Sequence, residues 1–264
     1  MVREPQALTV ILWLWNGWRP IYNYKHVNAT VRMLADYLPI PHRVVCVTDT
    51  PEQIECETHP LWALEIKVRG LPVSATGGAA YPNSYRRLKM FSPWAAEQFP
   101  GQILSLDLDA VICDDISPLI TNDDFKINKG RAAPYNGGMW LLRTGTRTEV
   151  WEKFHPNAFA VTSRQRFTGS DQAWISHVLK NEKTWDAPDG VYHYALLRNT
   201  GRSRPPPGNG RFPMRVINRN AAPQPQPQPD DCRIMFCAGG IKMWHPEFGI
   251  RFPALAEHYR KYLR

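Results

Sequence analysis

At 264 residues with 43% apolar content, the chain can bury a full core, which excludes global disorder and sets the scale of one large domain over 1–264. Its five cysteines (Cys46, Cys56, Cys113, Cys232 and Cys237) are odd in number and show no C-x-x-C spacing, so a disulfide framework or a structural zinc site is not expected and a reducing, cytoplasmic setting fits. The net charge of +8 is lopsided: residues 1–130 carry 12 basic and 14 acidic side chains, residues 131–264 carry 20 and 10.

The first apolar run, Ala7–Trp15, sits behind Arg3 like the core of a signal peptide. It is followed by Asn16-Gly17-Trp18-Arg19-Pro20, without a small-residue cleavage pattern, and is too short to span a bilayer. A buried first strand over Thr9–Trp15 is the expectation, with no transmembrane segment. Trp13 and Trp15 alternate along it, placing them either in the core or against a stacked base or sugar. Tyr24–Leu38 has helical spacing (Val27, Val31, Leu34, Leu38) and stops before Pro39. Arg43–Thr48 reads as a second strand and Trp62–Val68 as a third. Tyr85–Glu97 reads as a helix interrupted near Pro93, carrying Arg86, Arg87 and Lys89.

Gln102–Asp107 reads as a strand that ends in Asp107-Leu108-Asp109. A buried strand carries two carboxylates only if something cationic meets them, because an unpaired buried charge costs several kcal/mol. On a strand, i and i+2 share a face. The pair can therefore hold a hard divalent ion, Mg²⁺ or Mn²⁺, through oxygen ligands. Asp114-Asp115 reads as a solvated turn. The strand–helix alternation to this point predicts an α/β fold with a largely parallel sheet, whose ligands sit at the strands' carboxyl ends.

Beyond residue 130 the pattern changes. Gly138–Arg143 is a strand candidate, Thr148–Phe154 a short helix, and Ser170–Leu179 a helix with Ser170 at its N-cap and Asp171 in its first turn. Asp171, with Gln172 beside it, is the candidate sugar-binding or acid/base carboxylate; stabilising the helix terminus is its alternative job. Residues 201–231 are Pro- and Gly-rich loop, ending in Pro-Gln alternation of polyproline character. Between Gly190 and Pro229 there are six arginines and no acidic residue. Such a stretch suits a phosphate-bearing partner, or is simply solvated. Arg233–Cys237 resumes a strand and Pro253–Leu263 forms a C-terminal amphipathic helix.

Taken in order, several segments resemble the GT-A glycosyltransferases, particularly the family-8-like enzymes and their short bacterial and phage relatives. They are Trp13-Leu14-Trp15-Asn16-Gly17, Pro41–Asp49, Ser84–Phe91, Leu106–Leu119 with its D-x-D, Tyr135-Asn136-Gly137-Gly138-Met139, and Gly169-Ser170-Asp171-Gln172. The resemblance implies a Rossmann-like mixed sheet, mostly parallel and flanked by helices, in a single catalytic domain. Residues 1–130 would form its nucleotide-binding half and 131–264 its acceptor side. It further implies Asp109 as a direct metal ligand and Asp107 on metal or ribose. Arg87, or Arg86 or Lys89 in its place since the helix register is open by one turn, would meet the diphosphate with Lys242, the Asn136-Gly137-Gly138 backbone the donor sugar, and Trp13 and Trp15 the base. The family's terminal motif is only partly present in Phe236–Trp244: glycine, lysine and tryptophan align, but Phe236 stands where the metal-binding histidine belongs. His245 is a conceivable substitute.

The expected activity is transfer of a sugar from a nucleotide-diphosphate sugar, UDP-linked by preference, to an acceptor hydroxyl. The ion would neutralise the departing diphosphate. Glycan, lipid-linked sugar and protein are the usual acceptors; the arginine-rich loop adds a hydroxymethylated base in phage DNA. A non-catalytic nucleic-acid-binding module and a two-metal nuclease or nucleotidyltransferase are the competing classes.

Overall fold

The computed structural model describes residues 8–15, 21–71, 84–131, 133–167, 170–197 and 223–264. Its strands are β1 (Leu8–Leu14), β2 (His42–Thr48), β3 (Glu57–Pro60), β4 (Gln102–Leu106), β5 (Ala110–Ile112), β6 (Phe125–Lys129), β7 (Tyr135–Arg143), β8 (Lys183–Trp185), β9 (Val191–His193) and β10 (Ile234–Phe236). Seven of them form one sheet in the order β3-β2-β1-β4-β7-β6-β8. Four of its six neighbouring pairs are parallel; β7 runs antiparallel to both β4 and β6. The other three make a small sheet, β5-β10-β9.

β1 shows why the first apolar run has no polar face. Leu8, Val10, Leu12 and Leu14 enter one core, shared with Val27, Met33 and Leu34 of the helix Tyr24–Tyr37. Ile11 and Trp13 enter the other, with Leu88, Phe91, Trp140 and Trp174. A central strand covered on both faces reads as a continuous hydrophobic run. The helix Tyr24–Tyr37 starts at a reciprocal cap: Asn23 Oδ1 accepts from Lys25 N, and His26 Nδ1 accepts from Asn23 N, each at 3.0 Å.

Several sequence expectations need correcting. Residues 61–68 form no strand; the third strand is Glu57–Pro60. Trp62, Leu64 and Ile66 pack one-sidedly on the second core. The alternation there reports burial of an extended segment, not pairing. The predicted helix at 85–97 is a 3-10 helix over Ser84–Phe91 followed by an α-helix over Pro93–Gln98. The strand expected over Gly138–Arg143 already starts at Tyr135, so Asn136, Gly137 and Gly138 lie inside β7. Ser170 occupies the N-cap of the helix Asp171–Val178 but makes no side-chain cap bond. The helices Ala158–Arg164 and Pro246–Arg251, and the strands β6, β8 and β9, carry no clear sequence signal.

Residues 223–229 have no regular hydrogen-bonded structure, although Gln226 N donates to Arg251 O at 2.8 Å. The expected arginine loop from Arg198 to Arg219, with Asn16, Gly17 and Gly169, lies outside the described residues. No described helix is long and apolar enough to cross a membrane.

Candidate active site

The Asp107-Leu108-Asp109 segment is the turn that carries the chain from β4 in the large sheet to β5 in the small one. The two carboxylates therefore do not share a strand face, as the i, i+2 rule would have it. Each leans on a different sheet. Leu108, 3% exposed, is packed into the core between them. The turn is pinned at both ends: Asp107 N donates to Gly138 O at 2.8 Å, and Cys237 N donates to Asp109 O at 2.7 Å.

On the large-sheet side the organiser is Arg87, only 5% exposed. Its Nη2 donates to Asp107 Oδ1 at 2.6 Å and to Gly137 O at 2.9 Å, and its Nη1 lies 3.1 Å from Asp171 Oδ2. The planar guanidinium offers several donors in a fixed fork, which suits three acceptors at once. Its carbon also sits 5.5 Å from the Trp13 ring centre. The 3-10 geometry of Ser84–Phe91 selects this arginine, because i and i+3 eclipse and bring Ser84 and Arg87 to the same wall. Arg86 instead offers its carbonyl to Trp62 Nε1, and Lys89 pairs with Glu65 at 2.6 Å.

On the small-sheet side Lys242 is 9% exposed. Its Nζ lies 3.2 Å from both Asp109 Oδ2 and Cys237 O, and 5.3 Å from the Tyr22 ring centre. An open cleft of about 280 Å³ lies over both halves, lined by Trp13, Trp15, Tyr22, Asp107, Asp109 and Lys242 among others. It opens at the carboxyl ends of β1 and β4, where a parallel sheet places its ligands.

Burial pushes the Asp107 carboxyl up from 3.8 to about 7; Arg87 opposes the rise, while Asp109 and Asp171 add to it. Burial also raises Asp171, again against the pull of Arg87. Tyr22 is raised, first by burial and then by the charges of Asp109 and Asp107. With all groups ionised, three carboxylates face two cations, a balance that a further cation would complete. The donor set is hard oxygen, the chemistry of Mg²⁺ or Mn²⁺. Among the described residues no group of three or more His, Cys, Asp or Glu side chains is gathered for a metal. Phe236 is buried in β10, and His245 uses its Nδ1 to cap Glu247 N at 3.1 Å.

The structure thus gathers Trp13, Trp15, Arg87, Asp107, Asp109 and Lys242 around one cleft. Asp171 and Gln172 join it from behind: Asp171 through Arg87, and Gln172 by accepting from Gly137 N at 3.1 Å. Asn136 accepts from Gly138 N at 2.9 Å. Crowding rather than backbone conformation favours the glycines. A Cβ on Gly137 would meet Asp171 Oδ2 at 3.2 Å, and one on Gly138 would meet Asn136 Oδ1 at 3.0 Å and the Phe236 ring at 3.3 Å. Trp13 is 6% exposed and donates through Nε1 to Ser105 Oγ at 2.8 Å, so Trp15, half-buried, is the freer ring. Sequence reasoning missed Tyr22, Ile21 and Ser84. An aromatic residue just before a helix cap was the available signal for Tyr22. Asp114 and Asp115 are the expected turn, with Asp115 accepting from Ser117 N at 2.8 Å.

No family model matches the chain, and no curated protein matches it in sequence. Solved structures do match. The galactosyltransferase LgtC, crystallised with donor and acceptor sugar analogues, superimposes with a TM-score of 0.56 at 12% identity, over 97% of this chain and 95% of that one. The glycosyltransferase GlyE of Streptococcus pneumoniae gives 0.52 at 10% identity, and the bifunctional glycosyltransferase WbbM 0.53 at 12%. This chain spans 60% of GlyE and 50% of WbbM. The fold is that of the GT-A glycosyltransferases: a mixed, mostly parallel sheet flanked by helices. At such identities the likeness is one of fold.

Proposed function

We propose that this chain is a metal-dependent glycosyltransferase that moves a sugar from a nucleotide-diphosphate sugar, UDP-linked by preference, to an acceptor hydroxyl. One observation carries the reading: at the carboxyl edge of a GT-A sheet, two aspartates, two buried cations and an aromatic wall meet in one cleft. The whole of 1–264 acts as one catalytic domain, with the donor held mainly by residues before 130. Its free thiols suit the cytoplasm.

Asp107 and Asp109 would hold Mn²⁺ or Mg²⁺. When bound, the ion supplies Lewis-acid neutralisation of the charge left on the departing diphosphate. Lys242 and Arg87 add fixed positive charge, which requires no reorganisation when the bond breaks. Trp15, with the edge of Trp13 and the Tyr22 ring, offers an apolar wall to the base. Arg87 holds Asp107 toward the cleft and Asp171 behind it. Asn136, Gly137 and Gly138 shape the floor beneath the donor sugar, and Gln172 fixes that floor through the Gly137 N–H. Asp171 is better suited to holding Arg87 than to meeting a sugar directly, because it is 5% exposed.

For the acceptor, the acid-free arginine stretch of 190–229 favours a phosphate-bearing molecule, and a hydroxymethylated base in phage DNA is its sharpest form. Thermal stabilisation by a panel of nucleotide sugars, with and without Mn²⁺, tests the donor reading. Metal-dependent stabilisation by one nucleotide class, and its loss in Asp109→Ala, is the expected result. Metal-independent turnover that survives Asp109→Ala would overturn it. Duplex DNA binding that is absent, or insensitive to salt, would remove the DNA acceptor.

A further inference from the structure

At the end of the small sheet away from the aspartate turn, two thiols far apart in sequence meet. Cys113 follows β5 and Cys232 precedes β10. The antiparallel pairing of Ile112 with Ile234 sets Cys113 across from Arg233, whose carbonyl accepts from Cys113 N at 2.9 Å. The Cys113 Sγ lies 3.8 Å from Cys232 Sγ and 3.1 Å from the Cys232 carbonyl oxygen. Cys232 is 3% exposed, whereas Cys113 is half-buried. Among the described residues this is the one thiol–thiol contact at hydrogen-bonding distance. Cys46 and Cys237 are buried elsewhere, and Cys56 is half-buried.

We infer that Cys113 and Cys232 form a reversible oxidation site, closing into a disulfide when the chain meets a low-molecular-weight disulfide such as oxidised glutathione. Free cysteines packed side by side as small apolar residues are the plain alternative. The pair differs from that in joining a half-buried cysteine to a buried one with their sulfurs in contact. The sulfurs need to approach from 3.8 Å to a bond of about 2.05 Å.

The exposures give the order of steps. Cys113, as thiolate, attacks one sulfur of oxidised glutathione. That S–S bond breaks, one glutathione leaves as thiolate, and a mixed disulfide stands on Cys113. Cys232 then loses its proton to solvent and attacks the Cys113 sulfur, expelling the second glutathione. Two electrons and two thiol protons leave the protein, and two molecules of reduced glutathione form. The neighbouring Cys113 thiol, and burial after it, hold the Cys232 thiol well above its ordinary range, so Cys232 does not react first. The bond would cross-link β5 to β10. β5 begins beside Asp109, and the chain leaving β10 carries Lys242. It would also close a long loop, the case in which a cross-link most constrains the unfolded chain.

The test uses the full chain, incubated with oxidised glutathione, quenched with iodoacetamide and mapped by mass spectrometry. The expected product has lost two hydrogens, joins the Cys113 and Cys232 peptides, reverts in dithiothreitol and melts at a higher temperature than the reduced chain. Cys232→Ser should instead trap a single glutathione on Cys113, and Cys113→Ser should give neither the adduct nor the cross-link. Cys232→Ala repeats the trap should the serine variant fold poorly. A wild-type chain that keeps glutathione on Cys113 without closing, or leaves both thiols alkylated, would overturn the inference. The readout does not involve sugar transfer, so it stands or fails separately from the proposed activity.

Discussion

The two halves of the aspartate turn are held in contrasting ways. Asp107 is fixed by an arginine that simultaneously grips Asp171 and the Gly137 carbonyl, all within the large sheet and its covering elements. Asp109 is fixed by a lysine, a point charge with two acceptors, on the chain leaving the small sheet. Arginine here is a bracket that several elements need. Lysine is a single counter-charge held by one carboxylate and one carbonyl at the cleft. The large-sheet half should therefore govern stability, and the small-sheet half should govern ligand binding.

The largest expected effect tests the small-sheet half. Asp109→Ala should lower turnover by about three orders of magnitude or more, since it removes a proposed metal ligand and its charge. Its melting temperature should fall far less than that of an Arg87 variant. Equal losses of stability would break the contrast. Arg87→Met comes next. It strands Asp107 and Asp171 without their cation, and breaking a buried pair by removing one partner costs about 3–5 kcal/mol, measurable by urea unfolding. Arg87→Lys should recover little of it, because an ammonium cannot span the three acceptors. Gly138→Ala follows, at about 1–3 kcal/mol, because its methyl would press on Phe236 and Asn136.

The smallest effect is in pH. The Asp107 carboxyl titrates at about 7 in the fold against 3.8 ordinarily. A raised acid pKa means the fold favours the protonated form. The stability this contributes is complete below about pH 4 and is lost as pH rises through 7. Asp107→Asn should therefore flatten the fall in melting temperature between pH 5 and 8 in metal-free protein. In the wild type the stabilisation by Mn²⁺ should grow over the same window, because the ion needs the carboxylate. A Mn²⁺ effect independent of pH would separate Asp107 from the metal.

Much of the large sheet was legible because its strands are long and buried on both faces. β1, β2 and β4, and the helix before Pro39, follow from hydrophobic pattern alone. So does the placement of Asp107 and Asp109 where β4 emerges. The small sheet was hard to read for the converse reason. β5 and β9 have three residues each, too few for any period to show, and β9 is established by pairing with β10. Trp62–Val68 misled because alternation records burial on one side, whether or not a strand pairs. Arg87 could not be told from Arg86 or Lys89 until the 3-10 winding chose the face.

By itself the sequence determined the α/β class, the positions of the long strands and the residues that could carry the chemistry. These depend on periodicity and residue type, which are local. Only the tertiary structure decided that Asp107 answers to Arg87 and Asp109 to Lys242, that Gly137 and Gly138 exist for want of room, and that Cys113 lies against Cys232. The Arg87–Asp107 pair spans 20 positions and the Asp109–Lys242 pair 133, and each depends on how elements distant in the chain pack together. No local pattern in the chain encodes that packing.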